Sequence, residues 1–186
     1  MEEVAIKALQ DRTTAKLRYA AVHLHELEDV PVNGDAFDRA HQESFLYHLV
    51  GVVDAFLAEL NAYYECGLSA EAITPGKLRK RLIEQKKSSV ESIELFRLAN
   101  DRESWLSRAK RMRHLSTHVT GVGRTFHVGG EKDGEVWLND PVISQQSGRH
   151  YVLEFKNWQG SMTELVERLR TSALKACKRS KIGGSL

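Results

Sequence analysis

Four side chains that can bind phosphate or transfer protons fall within the stretch RMRHLSTH, at positions 111–118. Arg111 and Arg113 contribute guanidinium groups, which stay charged and can hold phosphate oxygens in bidentate fashion. His114 and His118 contribute two imidazoles. Because an unperturbed imidazole titrates near pH 6.5, this group can take or give a proton at neutral pH. The combination is suited to phosphodiester chemistry.

A helical wheel predicts that the histidines lie on an outward face. At 100° per residue, the core-facing stripe consists of Trp105, Ala109, Met112, Ser116 and Val119. Arg111, His114 and His118 fall on the opposite side of the helix. Ser107 lies there one turn earlier, and Arg113 lies on a flank, roughly 140° from His118. The outward face should therefore border either solvent or a second subunit.

The spacing of Arg113 and His118, with four residues between them, resembles the Arg-x4-His signature of the HEPN superfamily, which lies on a late helix of an all-helical bundle. The text ESWLSRAKRMRHLSTH is also similar in placing an aromatic residue and basic groups ahead of the motif. His114 falls where many members have Asn or Asp. Thr120 stands where some toxin members carry a tyrosine, which is a departure from that branch. The resemblance covers roughly residues 1–120.

This resemblance implies a homodimer with a composite cleft and, in catalytic members, RNA cleavage without metal or cofactor. His118 would then act in proton transfer and Arg113 would hold the scissile phosphate. Six residues separate Arg111 from His118, and five separate Arg108 from His114. Which arginine pairs with which histidine therefore stays open. We expect a metal-independent endoribonuclease of toxin or defence type, with an antitoxin as a possible partner. The alternative is a non-catalytic helical module that binds RNA or a protein.

Helical patterns fill the chain on both sides of this motif. Before residue 120 they predict Glu2–Asp29, a second helix from Asp35 to about Tyr64, a short helix capped by Thr74, one opened by the pair Ser88 and Glu91, and one opened by Asn100 and Glu103 that reaches Val119. Short connectors between successive helices are typical of an antiparallel helical bundle.

The pattern changes between Gly121 and Phe155, where apolar residues alternate and predict a small hairpin or a three-stranded meander. The alternating residues are Phe126, Val128, Val136, Leu138, Tyr151, Leu153 and Phe155. Ser161 and Glu164 form a capping box for a last helix. We expect a mainly α single domain with a small antiparallel β insertion before the last helix. Its parts are a bundle over 1–120, the insertion over 121–156, a C-terminal helix over 157–180 and a flexible tail over 181–186.

Charge is distributed unevenly along the chain. Residues 1–72 carry 5 Lys/Arg and 13 Asp/Glu, whereas residues 73–128 carry 13 basic and 5 acidic groups. The remaining residues bring the formal net charge to +2. Such asymmetry favours either charge matching within or between subunits, or a basic middle region that binds a polyanion.

Composition favours a cytoplasmic protein. Cys66 and Cys177 are the only cysteines and lie far apart, which is typical of a reducing compartment. The acidic amphipathic start MEEVAIKALQD does not resemble a signal peptide. The most apolar run is interrupted by His48 and Asp54 and is too short to span a bilayer, so we expect no membrane association.

Histidines elsewhere offer a metal-binding alternative. His41 and His48 lie seven residues apart on the second helix, and His23 and His25 close the first. Facing helices of a bundle can bind metals through such residues. The chain has no Glu-x-x-His pair, and a hydrogen-bonded boundary position explains His48 more simply. We therefore expect neither a metal nor a cofactor.

Overall fold

Six helices make up most of the part of the protein that a computed structural model describes, which is residues 2–29, 36–87, 89–118, 122–126, 128–132, 135–140, 142 and 150–183. They are α1 (Glu2–Asp29), α2 (Ala36–Tyr63), α3 (Pro75–Glu84), α4 (Val90–Asn100), α5 (Trp105–His118) and α6 (Tyr151–Gly183). Strands β1 (Arg124–Phe126) and β2 (Val136–Leu138) pair antiparallel between α5 and α6. The predicted helical fold with a small β insertion before the last helix is confirmed.

The core is organised around α2, which packs against α1, α3, α5 and α6. Its side chains Phe45, Leu49, Val52 and Leu60 are fully buried. By length and composition alone α2 could cross a membrane, but 61% of its most apolar stretch is buried inside the protein. This burial is typical of the central helix of a soluble bundle.

The last helix begins earlier than the sequence pattern predicts. Tyr151, Leu153 and Phe155 belong to α6 rather than to a third strand, so the helix starts at Tyr151 and not at residue 157. Leu153 is 51% exposed, whereas Tyr151, Phe155 and Trp158 are buried. A strand was the wrong prediction because burial here recurs every three to four residues, which is the helical period. The tail predicted at 181–186 likewise begins inside α6.

Two of the predicted helix starts are shifted. Thr74 caps α3 as predicted, because its hydroxyl accepts a backbone N–H from the first turn. The cap of α4 is Ser89 rather than Ser88, and that of α5 is Ser104 rather than Asn100. In each case several polar residues adjoin the helix, and the cap is the one whose oxygen reaches the N–H three residues ahead. Predictions that concern Asp35, Val119, Thr120, Gly121 and residues 184–186 fall outside the described residues.

Two carboxylates near the ends of α2 hold β1 and α6 against it. Asp38 forms a buried ion pair with Arg124 of β1 and accepts a hydrogen bond of 3.1 Å from the Tyr151 hydroxyl. Glu59, also buried, accepts two hydrogen bonds of 2.7 and 2.9 Å from the guanidinium of Arg170 on α6. Since α6 meets Asp38 at its first residue and Glu59 further along, it runs beside α2 in the same direction.

Replacing Arg124 by methionine should lower the free energy of unfolding by about 3 kcal/mol, because the Asp38 carboxylate would stay buried without its cation. Urea denaturation followed by circular dichroism measures this change. Lys7, which pairs with Asp11 on the exposed surface of α1, provides the control. Lys7→Met should cost less than about 1 kcal/mol. Similar effects of the two substitutions would contradict a structural role for the buried pair.

Candidate functional site

The faces of α5 separate the residues that the sequence groups together. Ala109, Met112 and Ser116 are buried against the core, as predicted. Ser107 is buried as well, and its hydroxyl donates to the backbone carbonyl of Leu98 at 3.0 Å, so its predicted place on the outward face was wrong. The reason is that α4 packs against this side of α5, which a wheel of one isolated helix does not show.

Arg111 forms an ion pair that connects α5 to the segment after β2. Its Nη2 and Nε donate to the two carboxylate oxygens of Asp140 at 2.6 and 3.2 Å, and its Nη1 donates to the carbonyl of Arg102 at 2.8 Å. Burial disfavours ionisation of Asp140, but hydrogen bonds from Arg111 and from the N–H of Val142 outweigh it and hold the pKa of this carboxyl below its ordinary value. Arg111 therefore holds the segment after β2, which contains Asp140, against α5.

Arg108, one turn earlier, is engaged in the same way. Its Nη1 lies 2.6 Å from Oε1 of Glu154 on α6, and its Nε lies 3.5 Å from the Asp140 carboxylate. Arg108 and Arg111 thus attach α5 to the chain that follows β2.

His114 and His118 lie together on the outer face of α5, as predicted. Both are exposed, and their ring centroids are 5.3 Å apart. His114 also lines a shallow depression of about 320 Å³ with Lys110, Arg111 and Leu115. Within the described chain no carboxylate pairs with either imidazole, so both are available to a ligand from solvent.

Arg113 faces a different side of α5. Its guanidinium carbon lies 5.4 Å from the centroid of the Tyr47 ring on α2. Because residues five apart on a helix are separated by about 140° around its axis, a single chain does not direct Arg113 and His118 at the same point.

Arg113 instead lines a groove of about 460 Å³ between α1, α2, α5 and the segment that follows α2. Arg12 and Lys16, one turn apart on α1, reach the same groove. The ammonium group of Lys16 lies 4.6 Å from the centroid of the Tyr47 ring. Lys16 and Arg113 thus both lie against the Tyr47 ring, and Arg12 lines the same groove. We call this site, with its three cations from two helices, the cationic groove.

The cationic groove has a net positive charge. Asp54 and Glu71 line it too, but among the described residues neither forms a salt bridge with Arg12, Lys16 or Arg113. The three cations outnumber the two carboxylates. A concave site of this kind concentrates anions from solution.

A cluster of histidines continues along the seam between α1 and α2. The Nδ1 atoms of His23 and His41 are 3.3 Å apart, and the His48 ring stacks on His23 with the two planes 4° apart. The Nζ of Lys16 lies 3.4 Å from Nδ1 of His48. The structure thus brings together three of the histidines considered as metal ligands, but the described chain has no group of three His, Cys, Asp or Glu side chains arranged to hold a metal.

Burial and neighbouring positive groups favour the neutral form of two of these imidazoles. Burial lowers the pKa of His23, the adjacent His41 lowers it further, and Glu26 opposes the change. Burial also lowers the pKa of His48, and Lys16 and His23 act in the same direction.

Residues 8–175 match a family described as "Family of unknown function (DUF6586)". The protein belongs to this family. The matched range extends from α1 into α6 and contains both strands, so the helices and the β insertion form one family unit. No curated protein and no solved structure matches the chain.

In this DUF6586 protein, the sequence pattern made Arg113 a candidate site residue, but it did not indicate Arg12, Lys16 and Tyr47, which line the same groove. The one available signal is the spacing of Arg12 and Lys16, which places both side chains on one face of α1. Nothing in the local sequence indicates that this face of α1 lines the same groove as the flank of α5.

The histidine cluster predicts that the protein loses stability in mild acid. Because His23 and His48 have pKa values below the ordinary 6.5 in the folded state, the unfolded chain binds more protons just below that pH. The neutral imidazoles therefore favour the folded state fully above about pH 6.5. This stabilisation is lost as the pH falls towards the lower pKa values of the folded protein. Urea denaturation at about pH 7.5 and about pH 5.5 measures the decrease.

The double variant His23→Gln/His48→Gln should show a smaller decrease in unfolding free energy between these two pH values than the wild type. His114→Gln, at an exposed position, should keep the full decrease. A double variant with the wild-type pH dependence would show that the cluster does not cause it.

Proposed function

We propose that this protein is a helical RNA-binding module whose cationic groove holds phosphate groups. The observation that carries the proposal is the convergence of Arg12, Lys16 and Arg113 on one concave site. The Tyr47 ring beside them is 47% exposed and offers a surface on which a base can stack. Proteins that bind single nucleic-acid strands combine cationic side chains along the phosphate backbone with aromatic side chains on which the bases stack.

The charge distribution supports an anionic ligand. Arg113 belongs to the segment 73–128, which carries 13 basic and 5 acidic residues. Arg12 and Lys16 are two of the five basic residues of the acidic segment 1–72, and both line the groove. Binding to phosphate by such groups releases counterions from the nucleic acid and so depends on salt. We place this activity in the cytoplasm, in line with the position of α2 in the core of the protein.

Arg12→Ala, Lys16→Ala and Arg113→Ala should each weaken RNA binding about tenfold and reduce the slope of log affinity against log salt by about one. Fluorescence anisotropy with a labelled RNA of mixed sequence, at several salt concentrations, measures both quantities. Arg97, an exposed arginine of α4 outside the groove, is the matched control, and Arg97→Ala should change little. Equal losses for the control and the groove variants would overturn the proposal.

Metal-independent RNA cleavage is a second candidate, favoured by the exposed pair of His114 and His118 on the same helix as Arg113. One imidazole would accept the proton of the attacking ribose hydroxyl while another donates to the leaving oxygen. Since Arg113 and His118 face different sides of α5, the site would need a homodimer in which one subunit supplies Arg113 and its partner supplies the histidines. An antitoxin-type protein would then act by covering this face.

If the composite site exists, His118→Ala and Arg113→Ala should each reduce cleavage by about 100- to 10,000-fold in excess chelator. A mixture of equal amounts of the two inactive variants should recover about a quarter of the wild-type rate, because about half of the dimers are mixed and each contains one intact site. Gel analysis of RNA cleavage measures this recovery. Loss of cleavage in chelator, or no recovery from the mixture, would reject the composite mechanism.

A further inference from the structure

Six aromatic rings form a continuous series along the seam between α1 and α2. The neighbouring ring centroids are 5.3 Å apart for Tyr47 and His48, 5.2 Å for Tyr19 and His48, 5.6 Å for His48 and His23, 5.2 Å for His23 and His41, and 4.2 Å for His41 and Phe37. We call these six residues the aromatic seam. It begins at Tyr47, which also lines the cationic groove, so the two features are continuous.

The aromatic seam is open to solvent at three of its rings. Tyr19, Phe37 and Tyr47 are 49%, 48% and 47% exposed, whereas the imidazoles between them are half-buried. Phe37 and Tyr47 are ten residues apart on α2, which is about 15 Å along the helix. Exposed aromatic rings that are grouped along one seam offer a surface for an interaction partner.

We propose that a single strand of RNA leaves the cationic groove and follows the aromatic seam, with bases stacked on the three exposed rings and phosphates against the imidazoles. This inference rests on the proposed RNA-binding function and adds the path and the strandedness of the ligand. Unpaired bases have free faces for stacking on aromatic side chains. Base pairs inside a duplex do not, so a duplex should occupy only the groove.

The charges along the seam suit a polyanion that binds with uptake of protons. Lys16 of α1 joins the groove to the seam through its contact with His48, and Arg113 of α5 lies over Tyr47. Glu26 of α1 is the carboxylate that acts on His23. Burial lowers the pKa values of His23 and His48 in the free protein. Phosphate beside these two rings would favour their protonated forms, so affinity should rise as the pH falls below about 6.5.

The test compares binding of a labelled single-stranded RNA with that of the same RNA annealed to its complement. Tyr19→Leu and Phe37→Leu should each weaken binding of the single strand about tenfold and leave binding of the duplex unchanged. Phe126, half-exposed on β1 and outside the seam, is the matched control, and Phe126→Leu should have no effect. The urea midpoint of each variant confirms that it is folded.

The pH dependence gives a second, independent measurement. Wild-type affinity for the single strand should increase between about pH 7.5 and about pH 5.5, and His23→Gln/His48→Gln should remove most of this increase. If Arg113→Ala weakens binding but the seam variants do not, the groove remains the RNA site and the path along the seam is wrong. If neither the groove variants nor the seam variants weaken RNA binding, the proposed RNA-binding function and the path along the seam are both wrong. Equal affinity for single strand and duplex would also overturn the inference.

Discussion

Two buried carboxylates on α2 constrain the arrangement of the other elements. An ionised group in the core is costly unless a cation accompanies it, so Asp38 and Glu59 each require an arginine from elsewhere in the chain. Arg124 brings β1 to the start of α2, and Arg170 brings α6 along its length. The side chains of α6 then complete the core. The cationic groove forms where α5 passes the α1–α2 hairpin, and its described lining comes from outside α6.

The need of a buried charge for an opposite charge also explains how the arginines of α5 are arranged. Arg108 and Arg111 are neutralised by carboxylates from the β2–α6 region and fix the orientation of α5. That orientation turns Arg113 towards α1 and α2 and leaves His114 and His118 in solvent. Arg108 and Arg111 face carboxylates, whereas Arg113 faces the ring of Tyr47. Arg113 forms no salt bridge with any described residue, so a ligand can bind its guanidinium without breaking such a pair. Engaging Arg111 would cost the pair with Asp140.

Long periodic segments made most of the fold predictable from sequence, because burial on one face of a helix repeats every three to four residues. The start of α6 was not predictable from three alternating apolar residues, since Leu153 turned out to be exposed within a helical stripe. The site was only partly predictable for another reason. Whether Arg111 or Arg113 is available depends on Asp140, 29 residues after Arg111, and on the meeting of three helices. Local patterns carry no information about such contacts.

The most direct measurement is ultraviolet crosslinking of single-stranded RNA to the wild-type protein, followed by tryptic digestion and mass spectrometry. RNA in the cationic groove should crosslink to the tryptic segment 40–77, which contains Tyr47. A strand that continues along the aromatic seam should also mark segment 19–39, which contains Tyr19 and Phe37. Crosslinks restricted to α3, α4 or the basic end of α6 would contradict binding between α1, α2 and α5.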